Sequence, residues 1–154
     1  MNIKKIFLKQ AKNLNIKYFL FVSSVVVIIG MYGKYRCTHI KDHKDILEFS
    51  LFNGSKKYGL DGWSISHYVF FSVLGYLYPN TLLPTMALGT VWELFETYVG
   101  IYQPKIINGF GFCNSPTSKN GKKIWWYGKW SDVIVNFLGF VTGKTIKQGK
   151  FSLL

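Results

Sequence analysis

Four long stretches of the chain are almost free of charge, and shorter polar or basic segments separate them. They lie near residues 16–33, 63–78, 81–100 and 130–143. A helix needs about 20 apolar residues to cross a bilayer, and about 17 is the lower limit. The pattern therefore predicts an all-α fold, an integral membrane helical bundle with about four transmembrane helices.

The connections between these stretches refine that prediction. The first stretch has no charge after Lys17 and no small-residue cleavage site behind it, so we interpret it as an uncleaved anchor. Only Pro79 and Asn80 separate the second stretch from the third, which predicts an antiparallel helical hairpin. The fourth stretch carries Gly139 and Gly143, a spacing that lets helices approach closely. Because the second and fourth stretches are short for a span, a soluble protein with buried helices is the alternative.

Composition narrows the class of protein. A length of 154 residues suggests one domain, and an aromatic content of 18% excludes disorder for most of the chain. Two cysteines are too few for a disulfide scaffold or a cysteine-based zinc site. The formal net charge of +12 beside 49% hydrophobic residues indicates that apolar and basic blocks alternate along the chain.

The basic residues suggest an orientation and a partner. Residues 1–17 hold five lysines and no acid, and they form either an interfacial amphipathic helix or a frayed tail. We assign residues 18–154 to a single membrane domain. The lysines favour a cytoplasmic N-terminus. Cys37, Cys113 and the glycosylation sequon at residues 53–55 then lie on the other side, where the cysteines could pair.

The expected partners are the lipid bilayer and anionic lipid headgroups. No nucleic-acid-binding motif is present, and the basic residues are divided between both sides of the predicted membrane, which argues against nucleic acid. The loop before the fourth stretch combines lysines with tryptophans, a combination suited to anionic headgroups. The lysines predicted to attract a substrate headgroup there are Lys122, Lys123 and Lys129.

Polar residues within the apolar stretches are few, and they fall at similar depths. His67 lies early in the second stretch, Glu93 and Glu96 lie near the end of the third, and Asp132 and Asn136 lie at the start of the fourth. With four spans these ends share one side of the membrane, and a rise of about 1.5 Å per residue places most of these groups about 6–10 Å deep. Since charged residues within spans are usually paired and functional, we predict one shared polar site.

The charge of this site calls for a cation or for protonation. The candidates are a divalent metal, a proton in transit, a cationic substrate group or a loop lysine such as Lys129. Oxygen ligands with one imidazole suit Mg²⁺, Mn²⁺ or Zn²⁺. Asn136 would orient a bound ligand, and Asp61 is a possible fourth acid at the rim. The predicted metal ligands are Glu93, Glu96, His67 and Asp132, and with Asn136 they are the candidate catalytic residues.

Three ordered motifs resemble the VanZ-like group of small multi-pass membrane proteins. They are Asp-Gly-Trp-Ser-Ile-Ser-His at 61–67, Trp-Glu-Leu-Phe-Glu at 92–96 and Ser-Asp-Val-Ile-Val-Asn-Phe-Leu-Gly-Phe-Val-Thr-Gly at 131–143. The resemblance covers roughly residues 60–143, and Glu96 stands where the group often has Gln. Some members are tied to glycopeptide resistance at the cell envelope. The resemblance implies a shared polar site without naming a reaction, at His67, Glu93, Glu96, Asp132 and Asn136.

These observations leave the function open between classes. One hypothesis is a metal-assisted membrane enzyme that acts on a lipid or lipid-linked phosphate compound, with the metal polarising the substrate or activating water. The second is a non-catalytic membrane protein that organises or binds partners and uses its polar cluster for helix packing. A proton-coupled carrier is a third hypothesis, although four short spans leave little room for a transport pathway.

Overall fold

The computed structural model describes residues 3–40, 45–51, 59–113 and 125–151. Within them the fold is all-helical, as predicted, without strands in the described ranges. A short 3₁₀ turn at Lys105–Ile107 follows the fourth helix. The helices are α1 (Ile3–Ala11), α2 (Ile16–His39), α3 (Gly62–Leu77), α4 (Leu82–Tyr102) and α5 (Trp130–Gln148). Lys122, Lys123 and the sequon at residues 53–55 lie outside the described residues.

Local capping explains where the helices begin and end. The Asn15 side chain accepts the Tyr18 N–H at 3.0 Å and starts α2. Asp61 starts α3 through a capping box with Ser64, in which each side chain satisfies the other residue's main-chain N–H. Gly149 ends α5 with a φ of 65°, a left-handed conformation that glycine adopts without strain.

The first long helix extends further than its apolar stretch. It continues to His39 rather than ending near residue 33, so Arg36 and Cys37 are helical. Cys37 forms a disulfide with Cys113, with their Cα atoms 4.9 Å apart. This bond answers the open question of cysteine pairing, and it fastens the end of α2 to the segment after α4.

Helices α3 and α5 form the most extensive contact between helices, and glycines make it possible. A Cβ atom at Gly139 would overlap the Tyr68 carbonyl, and one at Gly143 would overlap the Ser72 carbonyl. The predicted small-residue contact is therefore present. It sets the two backbones close together and fixes how α5 is positioned against α3.

Apolar side chains cover the outside of the bundle, while many polar ones lie inside. Of the helices in the described ranges, only α2 is long and apolar enough by length and composition to cross a membrane, and it lies near the N-terminus. All four long helices nevertheless carry apolar side chains that are at least half exposed, among them Phe19, Val27, Val69, Val91, Leu94, Ile134 and Leu138. The buried polar side chains include Asp61, Ser64, Glu93, Lys129, Asp132 and Asn136.

Helix α1 packs on the opposite end of the bundle from the disulfide. The Gln10 side chain accepts the Leu83 N–H at 2.7 Å, and the Asn13 amide donates to the Asn80 carbonyl at 3.3 Å. The basic N-terminal segment is therefore helical over Ile3–Ala11 and contacts the turn between α3 and α4.

Candidate functional site

Three helices bring one potential metal ligand each to the same place. His67 comes from α3, Glu93 from α4 and Asp132 from α5, and one ligand atom from each lies within 4.8 Å of the others. Glu93 is 5% exposed and Asp132 is 3% exposed. The Nδ1 atom of His67 lies 3.5 Å from Oε1 of Glu93. We call these three residues the ligand triad.

Each member of the ligand triad is held by a hydrogen bond at one of its polar atoms. Nδ1 of His67 lies 2.9 Å from Oδ1 of Asn136. With that oxygen as the acceptor, Nδ1 carries the imidazole proton and Nε2 the lone pair. The Ser64 hydroxyl donates to Oδ1 of Asp132 at 2.6 Å. The main-chain N–H of Lys129 donates to Oε2 of Glu93 at 2.9 Å. Such bonds orient metal ligands and leave the other atom of each for the ion.

The remaining oxygen of Glu93 is an unusual atom. Oε1 is buried and has no hydrogen-bond donor. A buried carboxylate oxygen without a donor is unfavourable by about 1–3 kcal/mol or more. Two carboxylates and one imidazole carry a net negative charge, so the position beside Oε1 suits a cation.

Glu96, also predicted as a metal ligand, lies outside the ligand triad. It lines a small, partly open cavity together with His67 and Asp132. The other walls include Ile29 of α2 and an aromatic side formed by Trp63, Trp125, Trp126 and Tyr127. The cavity has room for about one water molecule. Water or a small ion can therefore reach His67 and Asp132 in this conformation, whereas Glu93 does not line the cavity and a lipid headgroup cannot enter.

A buried ion pair borders the cavity. The ammonium of Lys129 pairs with the carboxylate of Asp61, and both residues are less than a tenth exposed. The Tyr127 hydroxyl also donates to Oδ2 of Asp61 at 3.1 Å. Burial raises the pKa of the Tyr127 phenol well above its usual value, and the adjacent Asp61 charge raises it further, so the phenol stays protonated.

This ion pair determines the role that Lys129 can take. Its ammonium is buried against Asp61 instead of lying at the surface, where the sequence had placed it as a headgroup ligand. Lys129 is also one of the cations proposed to balance the site, but it neutralises Asp61 and not the ligand triad. The charge of the triad therefore calls for another cation or for protonation, as the sequence predicted.

Two residues that contact the site escaped the sequence analysis. Ser64 orients Asp132, and the only sequence signal for it was its position three residues after the helix-capping Asp61. Asp45 accepts hydrogen bonds from Trp63 and Trp125, which both line the cavity. Asp45 lies in the connection between α2 and α3, and no local sequence pattern indicated these contacts.

Comparison of the chain with protein-family models, curated proteins and solved structures finds no match in any of the three. The resemblance to the VanZ-like group therefore stays a prediction from motifs, and the site is interpreted from its own geometry.

Proposed function

We propose that the protein is a multi-pass membrane protein that binds a divalent cation at the ligand triad and acts with it on a lipid or lipid-linked phosphate compound. The observation that carries this proposal is the ligand triad itself. Three helices supply one ligand each, a protein hydrogen bond orients each ligand, and Oε1 of Glu93 is buried without a donor.

The distribution of apolar surface supports a membrane setting. Helices α4 and α5 have 21 and 19 residues, about 30 Å at a rise of about 1.5 Å per residue, and α3 with 16 is shorter. The hydrocarbon core of a bilayer is about 30 Å thick. A soluble bundle would bury the valines and leucines that α3, α4 and α5 expose, and would expose the acids that they bury.

The chemistry follows from the number of ligands. Three protein ligands are typical of catalytic metal sites, in which a further position is left for water or substrate. A divalent ion there would polarise a phosphate oxygen or activate a water molecule. The cavity has room for about one water molecule. A headgroup must therefore bind at the opening of the cavity, or enter it after one of the aromatic side chains in its wall moves.

Metal content tests this proposal, with Glu96→Gln as the matched control for Glu93→Gln. We expect wild-type protein purified in mild detergent to carry about one divalent ion per chain. Glu93→Gln removes a ligand and should weaken binding by about 100-fold or more, whereas Glu96→Gln should keep the ion. Elemental analysis by mass spectrometry measures this directly. A wild-type chain without metal, combined with equal turnover of a lipid panel by all three proteins, contradicts the proposal.

A second candidate function is favoured by the number of hydrogen bonds already present. Ser64 with Asp132 and His67 with Asn136 form a network that needs no ligand at those atoms. In a non-catalytic organising protein this network would only fix the packing of α3 against α5. Glu93→Gln would then change the thermal stability of a metal-free protein, and activity would be absent from wild type as well.

The proposed orientation places the N-terminus in the cytoplasm and the ligand triad near the opposite face. Helix α1 carries Lys4, Lys5 and Lys9 at the end away from the disulfide, where they would meet anionic headgroups. Near Cys37, the Arg36 guanidinium donates to the Gly111 carbonyl at 2.7 Å and lies 5.0 Å from the ring of Trp125, which lines the cavity. The disulfide and the cavity therefore share one end.

Thiol labelling in intact cells tests this orientation. Disulfides persist outside the reducing cytosol, so a membrane-impermeant maleimide should label the protein only after an impermeant reductant is added. The mass shift on a gel should then correspond to two thiols, and Cys37→Ser/Cys113→Ser should show none. Labelling without reductant, or only after the cells are permeabilised, contradicts the orientation.

A further inference from the structure

Asp45 joins three parts of the chain through a single carboxylate. It lies in the connection between α2 and α3. Its Oδ2 atom accepts the indole N–H of Trp63 at 2.7 Å and that of Trp125 at 2.6 Å. Its Oδ1 atom accepts the Tyr32 hydroxyl at 2.8 Å and the Leu47 N–H at 2.9 Å. All four neighbours are donors, so the ionised acid is fully satisfied.

The chemistry of these donors makes the carboxylate hard to replace. An indole N–H can only donate, and here two of them converge on one oxygen atom. Hydrogen bonds to an ionised acceptor are about twice as strong as neutral ones. An asparagine would offer one oxygen and would turn its own N–H₂ group toward donors on the other side.

The three aromatic rings held by Asp45 pack against one another. The centroids of Trp63 and Trp125 are 5.6 Å apart with the planes at 73°, and those of Tyr32 and Trp63 are 5.8 Å apart. A Cβ atom at Gly33 would lie 2.8 Å from the Trp125 ring, so α2 closes against that ring as well. The position of Trp125 is thus fixed by Asp45 on one side and by α2 on another.

We propose that Asp45 is a positioning residue that holds Trp63 and Trp125 against the cavity, and that a headgroup binds only when this contact opens. Both rings line the cavity, which has room for about one water molecule. A phosphate-bearing headgroup is larger, so at least one ring must move to admit it. The headgroup part of this inference rests on the proposed function, whereas the control of access by Asp45 does not.

The rate at which a reagent reaches the cavity tests the inference without any metal. Both native cysteines are bonded to each other, so Glu96→Cys introduces a single free thiol at the cavity wall. We expect a water-soluble methanethiosulfonate reagent to modify this thiol about tenfold faster or more when Asp45→Ala is added, since hydrogen bonds to a charged group are lost. Asp45→Asn, which keeps one acceptor oxygen, should give an intermediate rate.

Glu48→Ala is the matched control because it removes another carboxylate from the same connection. Its reaction rate should equal that of the Glu96→Cys protein alone. An unchanged rate in Asp45→Ala overturns the inference, and so does an equal increase in Glu48→Ala, which would indicate general loosening. If Asp45→Ala does not fold, the thiol reaction rates of Asp45→Asn and Glu48→Ala are compared instead. A faster rate in Asp45→Asn alone supports the inference, and equal rates overturn it.

A second measurement separates this inference from the proposed function. In the Glu96-containing protein, Asp45→Ala should release bound metal to a chelator faster while the amount bound at equilibrium stays the same. A wild-type chain that holds no metal contradicts the proposed function alone, and the thiol reaction rate still decides whether Asp45 controls access.

Discussion

Replacing Gly143 with alanine should destabilise the protein severely, whereas replacing Gly30 should not. A Cβ atom at Gly143 would overlap the carbonyl oxygen of Ser72, and its nearest neighbours are all main-chain atoms. No side chain can rotate to make room, so α3 and α5 must separate. Overpacking of this kind costs typically about 1–3 kcal/mol, and we expect the upper end or beyond. At Gly30 nothing lies within 4 Å of the new atom, and alanine is the better helix former by about 1 kcal/mol.

The comparison is made in one detergent by thermal unfolding, followed by circular dichroism, with size-exclusion chromatography as a check on assembly. Gly143→Ala should unfold at a clearly lower temperature than wild type or elute as aggregate. Gly30→Ala should match or exceed wild type. Equal unfolding temperatures for the two variants would mean that the close α3–α5 contact is not present in solution.

Removing the carboxylate of Asp61 should be the second severe change, and more severe than removing its partner. Asp61→Ala leaves the buried ammonium of Lys129 without its anion, which typically costs about 3–5 kcal/mol. It also removes the cap of α3, a further loss of about 0.5–2 kcal/mol. Lys129→Met leaves Asp61 with the Ser64 N–H and the Tyr127 hydroxyl as donors, so its effect should be smaller.

The double variant Asp61→Ala/Lys129→Met completes the test. Because it leaves no uncompensated buried charge, it should be more stable than Asp61→Ala alone, even though it lacks one more native group. The unfolding free energies of the four proteins form a double-mutant cycle. If the losses in unfolding free energy of the two single variants add up to the loss in the double variant, the two charges do not interact. The assignment of a buried ion pair between Asp61 and Lys129 would then be wrong.

The sequence predicted those properties that depend on position along one helix. Apolar length gave the four long helices, and the rise per residue placed His67, Glu93 and Asn136 at similar depths, with Asp132 nearer the surface. Glu96 shows the limit of that reasoning. It follows Glu93 by three residues, about 60° short of a full turn, and a metal site depends on distances of a few ångströms between atoms. Depth in the membrane alone could not tell which of the two glutamates, Glu93 or Glu96, belongs to the ligand triad.

Contacts between distant residues escaped the sequence for a different reason. The pair of Lys129 with Asp61 joins residues 68 apart, and the hydrogen bond of Trp125 to Asp45 joins residues 80 apart. Both depend on how two loops fold over the end of the bundle, and no periodicity in the chain encodes that. The longer α2 was missed because its last turns carry Lys34 and Arg36, which end an apolar pattern without ending a helix.

The disulfide encloses only part of the site covalently. The bond between Cys37 and Cys113 spans 76 residues and closes a covalent ring that contains all of α3 and α4. His67 and Glu93 lie inside this ring, whereas Asp132 lies on α5, outside it. The ring therefore links the end of α2 to the segment after α4 covalently, while α5 stays outside it. The disulfide alone cannot assemble the ligand triad, because Asp132 reaches it only through the packing of α5 against α3.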